Sequence, residues 1–569
     1  MNTAQTPFNG GQLVVKALQA HGVKRLFSVP GESYLPVLDA LYDSPIENTV
    51  CRQEGGAAMM ADAWGKATGT PGICFVTRGP GATNASAGVH VAHQDSTPMI
   101  LFVGQINSAI RHREGFQELD YRQVFGSMTK WVAEIDSADR VQEMIARAWS
   151  IATSGRPGPV VLVLPEDCLA GTAEYHSMLP SSPITSQPNA QQLEQMLSTL
   201  KQAKQPMVIV GGSGWNEQAR EQLAEFAERF NLPVAVSFRR QMLFDHMHSH
   251  YAGDVGLGIN PELAKRIKQA DVIVLLNTRF SEVPSQNYTL IDIPQPQQNL
   301  IHIHSDSSEL GKKYNANLAM QSDPISLMQA LSNHSASSSP QQQEQQEQPS
   351  KHVQDCHQSY LAWSQLPTRS YPGQLQMPHV IRTMQQQLPE NSIITNGAGN
   401  YATWIHRFWR FRSFGSQLAP TSGSMGYGLP AAIAGSLASP DNPDKTDRTV
   451  VCMAGDGCYQ MTMQELASAV QAQAKIIVIV VDNGIYGTIR MHQERHYPQR
   501  VSGTSMVNPD FSLLAKAYGI FSTKIENNDQ FAPALEQALK ETGPSFLHLI
   551  LDAEVITPGQ TISEIRAAN

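Results

Sequence analysis

Eight short runs of unbroken apolar residues punctuate the chain. They are "ICFVT" from Ile73, "MILFVG" from Met99, "PVVLVLP" from Pro159, "MVIVGG" from Met207, "DVIVLL" from Asp271, "NLIHIH" from Asn299, "TVVCMAG" from Thr449 and "KIIVIVVD" from Lys475. Runs of this length without polar alternation predict strands buried on both faces, the environment of a parallel sheet. Amphipathic stretches such as "GGQLVVKALQAHG" and "NEQAREQLAEFAERF" lie between them. Regular alternation of the two predicts an α/β protein with doubly wound sheets. The pattern breaks at "HSMLPSSPITSQPNAQQ" (His176–Gln192) and at "HSASSSPQQQEQQEQPSKH" (His334–His352). The second stretch has almost nothing to bury and predicts a flexible linker. The cuts divide the chain into units 1–185, 186–335 and 355–569, with the Gln-rich linker at 336–354.

Length and charge narrow the classes. A chain of 569 residues with 41% hydrophobic content suits several globular domains. A formal charge of -9 argues against nucleic acid or an anionic membrane as partner. Six cysteines without a C-x-x-C pair make no disulfide framework and fit a reducing cytoplasm. The first residues carry no basic segment leading into an apolar core, and no apolar run is long enough to span a bilayer.

The chemistry concentrates where apolar runs end. Asp456, between Gly455 and Gly457, follows "TVVCMA" and opens a helical stretch, "MTMQELASAVQ". Ligands of open α/β sheets bind beyond the carboxyl ends of strands, and a helix N-terminus there favours phosphate. A carboxylate beside a diphosphate requires a bridging cation, and Mg²⁺ commonly takes that place. Asn483, in "DNGIYG", ends the next apolar run 27 positions after Asp456. That interval holds one helix and one strand, so both side chains reach the same sheet edge and offer oxygen donors to a hard cation. Far upstream, Glu54 stands between "NTVCR" and the small-residue helix "GGAAMMADAWGKATG". Taken alone, it is a carboxylate favoured by the helix dipole.

"GDG" followed by "DN" at this spacing resembles the thiamine-diphosphate fingerprint of the pyruvate-oxidase and acetolactate-synthase-like enzymes. The resemblance implies Asp456, Asn483 and the backbone carbonyl of Ile485 as Mg²⁺ ligands, with Gly457 beside the diphosphate. "CRQEGGAAMMA" and "RGPGATN" are similar to the family's "RHE-x-GAA-x-MA" and "TSGPGATN". That similarity implies Glu54 as the catalytic carboxyl, which activates the cofactor through its pyrimidine ring, a role that partial desolvation assists. Gly79 and Asn84 then lie near the pyrimidine. "LAPTSGSMGYGLPAAIAG" implies Gly423 as a carbonyl contact to the cofactor and Met425 as the side chain that bends it. "NGAGNYATW" matches the diphosphate loop, with Asn400 and Tyr401 where acetolactate synthases often carry Gln-His. The likeness covers nearly the whole chain outside the Gln-rich linker. It implies thiamine-diphosphate-dependent decarboxylation of a 2-keto acid such as pyruvate and ligation of the resulting enamine to a second carbonyl. It also implies a homodimer or homotetramer with sites at the subunit interface, and it leaves room for a small regulatory subunit.

The chain departs from that pattern around the substrate. Gly55 replaces a Gln, Glu166 in "LPED" replaces a lysine, and His492 stands where a tryptophan is typical, while Gln117 in the "FQE" triplet is retained. The change at 166 reverses a charge near the expected site mouth. His492 and His496, four apart, share a helix face. In the middle unit "MVIVGGSGW" follows a strand, and relatives often hold a structural FAD there, with Arg156 at a family contact position. "NTRFSEVPSQNY" departs from the family's "RFDDR" segment, so an unoccupied vestigial fold stands beside the FAD expectation. The rival functions are a related lyase, decarboxylase or hydrolase acting on another ketone, and a non-catalytic scaffold that keeps the fold.

Overall fold

The structure is a computed structural model that describes residues 7–336, 348–438 and 448–568. Most of the expected Gln-rich linker therefore lies outside the described residues. At its far end, Lys351–Trp363 is a helix. This helix returns to the middle unit, where Cys356 and Tyr360 join the apolar core.

Each unit is built on a six-stranded sheet in which every neighbouring pair is parallel. The first sheet comprises β1 (Arg25–Ser28), β2 (Glu47–Val50), β3 (Gly72–Val76), β4 (Met99–Gln105), β5 (Trp131–Glu134) and β6 (Pro159–Pro165), in the spatial order β2-β1-β3-β4-β6-β5. The second comprises β7 (Pro206–Val210), β8 (Val234–Ser237), β9 (Tyr251–Val255), β10 (Val272–Leu276), β11 (Asn299–His304) and β12 (Leu318–Gln321), ordered β9-β8-β7-β10-β11-β12. The third comprises β13 (Ile393–Asn396), β14 (Gln417–Leu418), β15 (Val450–Gly455), β16 (Ile477–Asp482), β17 (Phe521–Ile525) and β18 (Ser545–Ile550), ordered β14-β13-β15-β16-β18-β17. All eight apolar runs are strands of these sheets.

In each sheet the direction of winding reverses beside its first strand, between β1 and β3, between β7 and β10, and between β13 and β15; the first and third sheets also turn back at the far edge, where β6 inserts beside β4 and β18 beside β16. Connections leave such a pair on opposite faces, so a crevice opens beyond the carboxyl ends of the two strands.

The first and third units share one apolar core, in which the helices Glu54–Thr68 and Gly428–Ala438 face each other. The seam also buries charge. Lys66 lies between Asp62 and Asp95 and donates to the Tyr427 hydroxyl at 2.9 Å, and Tyr427 in turn donates to Asp62 at 2.6 Å. Buried charges persist only when paired and hydrogen-bonded in this way.

Small residues set how closely the Glu54 helix can approach its neighbour, Pro80–Asp95. A Cβ on Gly88 would stand 2.4 Å from the Ala58 Cβ and 2.6 Å from the Ala58 carbonyl carbon. Gly88→Ala must therefore push the two helices apart. The expected cost is about 1–3 kcal/mol, the usual range for overpacking, read as a lower urea midpoint for the N-terminal unit. An unchanged midpoint would show that the helices separate freely.

Candidate functional site

Glu54 is the first residue of its helix, and Gln53 caps it, accepting from the Gly56 N–H at 3.1 Å. The half-buried Glu54 carboxylate accepts from the Asn84 side-chain amide at 2.9 Å. Asn84 stands on the helix that begins at Pro80, directly after the crevice loop beyond β3. In that loop Gly79 has φ +41°, and its N–H donates to the Tyr121 hydroxyl at 2.8 Å. A Cβ on Gly79 would lie 2.8 Å from the Gln117 carbonyl oxygen, so Gln117, itself at φ +65°, packs against the loop. Glu54, Gly79, Asn84 and Gln117 are thus gathered at the mouth of the first crevice.

The third crevice gathers the residues around Asp456. β15 and β16 are hydrogen-bonded neighbours with Gly455 opposite Val481, which brings Asp456 alongside the turn that starts at Asp482. The Asp456 carboxylate accepts from the Gly457 N–H at 2.8 Å, from the Gly484 N–H at 2.9 Å and from the Asn508 amide at 2.8 Å. Asn508 also donates to Asp482 at 2.7 Å, and His548 reaches the other Asp482 oxygen at 2.9 Å. Burial pushes the Asp456 carboxyl up to about 6, opposed by the Gly457 and Asn508 hydrogen bonds and reinforced by Asp482.

The opposite wall of this crevice is the loop after β13. The Asn400 side chain accepts from Thr488 at 3.0 Å, while the Tyr401 hydroxyl accepts from the Gly397 N–H at 3.0 Å and donates to Cys458 Sγ at 3.3 Å. A Cβ on Gly455 would strike the Tyr401 ring at 2.8 Å, so glycine is required for this closeness. Gly423, at φ +68°, has open space where a Cβ would point, and Met425 beside it is half-buried. Asn483 lies half-buried in the turn, and Ile485 pairs across a bridge with Ser505. The helix expected over "MTMQELASAVQ" is broken. Asp456–Gln460 and Leu466–Gln471 are separated by a tight turn at Met463–Glu465: Thr462 leaves helical geometry at φ −141°, and its hydroxyl donates to the Gly426 carbonyl at 2.6 Å.

The second crevice is a cavity of about 360 Å³ between the first two units. Gly212 and Ser213 follow β7, Asn277 and Thr278 follow β10, and Arg156, Arg240 and Arg279 add three guanidinium groups. Arg156 ties the units together, donating to Glu309 at 3.1 Å, Ser96 at 2.8 Å and the His93 carbonyl at 2.6 Å.

The positions that depart from the family pattern are explained by their surroundings. A Cβ on Gly55, the second residue of the helix, would meet Gln53 Oε1 at 2.7 Å and the Asn84 carbonyl at 3.1 Å, so a side chain there requires the tip of Gln53 to move aside. Glu166 is paired with Arg78, which donates to it and also to Glu32, the latter at 2.7 Å, so one cation is shared by two carboxylates. Arg78 went unnoticed in the sequence, although it stands where the quoted "TSGPGATN" has serine. His492 is exposed and stacks on His496 with ring centroids 6.2 Å apart. Among the described residues no three His, Cys, Asp or Glu side chains are grouped to hold a metal. Asp482, Asn508 and His548 also escaped sequence reasoning. His548 meets Asp482 only because β16 and β18 are neighbours in the sheet.

Comparison with known proteins agrees with this geometry. Three family models match in succession: the thiamine pyrophosphate enzyme N-terminal TPP binding domain at residues 8–124, the central domain at 193–331 and the C-terminal TPP binding domain at 397–549. The acetolactate synthase isozyme 2 large subunit of Escherichia coli (strain K12) is 31% identical over 98% of this chain and 99% of its own length. The isozyme 3 large subunit of the same organism is 30% identical over 94% of this chain and 92% of its own. A probable acetolactate synthase large subunit of Methanocaldococcus jannaschii is 28% identical over 98% of this chain and 95% of its own.

Proposed function

The chain belongs to the thiamine pyrophosphate enzyme family, among the acetolactate synthase large subunits and their relatives, and on that premise we propose that it is a thiamine-diphosphate-dependent carboligase of the acetolactate synthase type. Its donor is a 2-keto acid such as pyruvate, which loses carbon dioxide before its acyl unit joins a second carbonyl. The observation that carries this reading is the contact of Asp456 with the Gly484 N–H, which unites the ends of two adjacent strands in one oxygen-rich crevice.

Bound thiamine diphosphate supplies the carbanion chemistry. Asp456, the Asn483 amide and the Ile485 carbonyl offer hard donors to Mg²⁺, and the nearby N–H groups of Gly457 and the Asn400–Tyr401 loop suit a diphosphate. Glu54 holds a proton at the pyrimidine ring nitrogen, steadied by Asn84 and flanked by Gly79. The Gly423 carbonyl and Met425 set the cofactor's conformation. Gly55, Gln117, Glu166 and His492 shape the acceptor side.

We propose FAD for the middle cavity. The positive charge of Arg156, Arg240 and Arg279 along the cavity wall favours a diphosphate, and the cavity lies at the winding reversal of its sheet.

Within one chain, no hydrogen bond among the described residues links Glu54 or Asn84 to Asp456 or Asn483. Phe116, Met461 and Ile489, which flank the two clusters, are exposed apolar side chains. Both facts support a homodimer, or a tetramer built from it, in which each site takes Glu54 from one copy and Asp456 from the other. A small regulatory subunit is compatible with this assembly. Six buried free thiols support a reducing, cytoplasmic setting, and no described helix is long and apolar enough to cross a membrane.

The principal test uses two variants. Glu54→Ala and Asp456→Asn should each lose acetolactate formation from pyruvate, and refolding them together should restore it. In each hybrid dimer one of the two sites carries both native residues. Failure to restore activity would overturn the shared site, and no acetolactate from the parent with cofactor bound would point to a relative acting on another carbonyl.

A second test follows the metal. A carboxyl raised to about 6 in the fold contributes stability that is complete below its unfolded value and is lost as pH rises through about 6. A divalent cation needs the ionised form, so its effect runs the other way. The gain in melting temperature on adding Mg²⁺ with thiamine diphosphate should grow from pH 5 to pH 7, with its midpoint near about 6. A gain independent of pH would remove Asp456 from the ligand set. For FAD, the purified protein should absorb in the visible flavin bands. Colourless protein that takes up no added FAD would leave the middle cavity without that role.

A further inference from the structure

The third unit contributes a buried carboxylate to the first unit at a point adjacent to Glu54. Glu465 is fully buried, in the tight turn nine positions after Asp456. Its carboxylate accepts the Arg52 backbone N–H at 3.1 Å through Oε1 and 3.3 Å through Oε2, and the Ser468 hydroxyl at 2.7 Å through Oε2. A Cβ on Gly56 would stand 2.7 Å from Oε1 and 2.9 Å from Cγ, so the glutamate lies directly against the first turn of the Glu54 helix. The Arg52 side chain adds a second link, donating to Gln471 at 2.7 Å in the same segment.

These contacts bracket Glu54. Arg52 is held from the third unit, Gln53 is extended at φ −155° and caps the helix, and Glu54 follows as the first helical residue with its carboxylate on Asn84. A carboxylate in this place is costly to bury unless backbone N–H groups and the positive end of a helix compensate it. An apolar side chain would fill the same space while leaving the Arg52 N–H without an acceptor. Charge-assisted bonds to backbone are short and directional, and they fix the chain more tightly than apolar packing does.

We propose that Glu465 is a positioning residue for the Glu54 carboxyl: by anchoring the backbone just ahead of Glu54, it fixes the direction from which that group meets the cofactor's pyrimidine ring. The proposal rests on the function assigned above. One short segment, Asp456 to Gln471, then does two things. It carries a metal-facing carboxylate at one end, and at the other it steadies the proton-holding carboxyl of its own chain. In the shared-site assembly those two groups serve different cofactors, so Glu465 ties neighbouring sites together through a single chain.

The test is hydrogen–deuterium exchange at the thiazolium carbon of thiamine diphosphate bound with Mg²⁺, measured by acid quench and NMR. The proteins compared are the parent, Glu54→Gln, Glu465→Gln and Ser468→Ala. Calorimetry reports cofactor uptake for each. Glu465→Gln should bind the cofactor within about threefold of the parent yet exchange roughly tenfold more slowly, because an ångström-scale misplacement of a reacting group costs one to two orders of magnitude. Ser468→Ala removes only the hydroxyl that orients Oε2 and should slow exchange by a smaller factor, about two- to threefold, on the same principle. A purely structural role would lower the melting temperature while folded, loaded Glu465→Gln exchanged as fast as the parent, and that result overturns the proposal. Should Glu465→Gln fail to fold, unchanged exchange in Ser468→Ala overturns it instead. If Glu54→Gln also exchanges at the parent rate, it is the role of Glu54 that fails, and the two failures are distinguishable.

Discussion

The structure depends on one constraint: a parallel sheet must wind outward from its middle. Strands buried on both faces need helices above and below, and a right-handed crossover can place a helix on either face only by choosing which way the next strand is laid. Wherever that choice reverses, two connections part and a crevice remains. Each of the three sheets does so beside its first strand. The Gly79 loop, the Gly212–Asn277 cavity and the Asp456–Tyr401 crevice each lie at such a reversal. The chemistry is placed by topology first and by side chains second.

Side chains then decide how the crevices are held relative to one another. The seam between the first and third units is apolar over most of its extent, but one end is an ion-pair cluster and the other a buried carboxylate hydrogen-bonded to backbone. At one end Lys66 sits between Asp62 and Asp95, and Asp95 also receives both the N–H and the hydroxyl of Thr421. Thr421 leads directly into Gly423 and Met425. At the other end Glu465 holds Arg52. An apolar seam tolerates sliding, whereas a satisfied buried ion pair has one geometry and a steep cost for leaving it. The loops that face the proposed cofactor are pinned at these two polar ends, where rigidity matters for orienting reacting groups.

The proposed acceptor side is built differently from that of the family pattern, and the changes are linked to one another. Glu166 in place of a lysine would leave a bare negative charge, but Arg78, in place of a serine, meets it and Glu32 as well. Gly55 carries no side chain where the family pattern has a glutamine, and the tip of Gln53 and the Asn84 carbonyl lie against that position. The mouth keeps a cation, now on the loop before Gly79 and shared by two carboxylates. Such a rearrangement changes the field an incoming keto acid meets without altering the scaffold that presents it.

The sequence by itself determined the fold class, the interior strands and the chemical character of the strand-end residues. Continuous apolar runs can only be buried on both faces, and all eight became strands. It did not reveal the six edge strands as clearly. Trp131–Glu134, Leu318–Gln321 and Phe521–Ile525 have one side toward solvent, so their pattern is short and mixed. Nor did it reveal the partners of the candidate residues. Arg78 with Glu166, His548 with Asp482 and Glu465 with Arg52 are pairs separated by 88, 66 and 413 positions. Local periodicity reports which face of an element is buried, because burial is a property of one position. A hydrogen bond or ion pair belongs to two positions, and only the packing of whole sheets and units decides which two will meet.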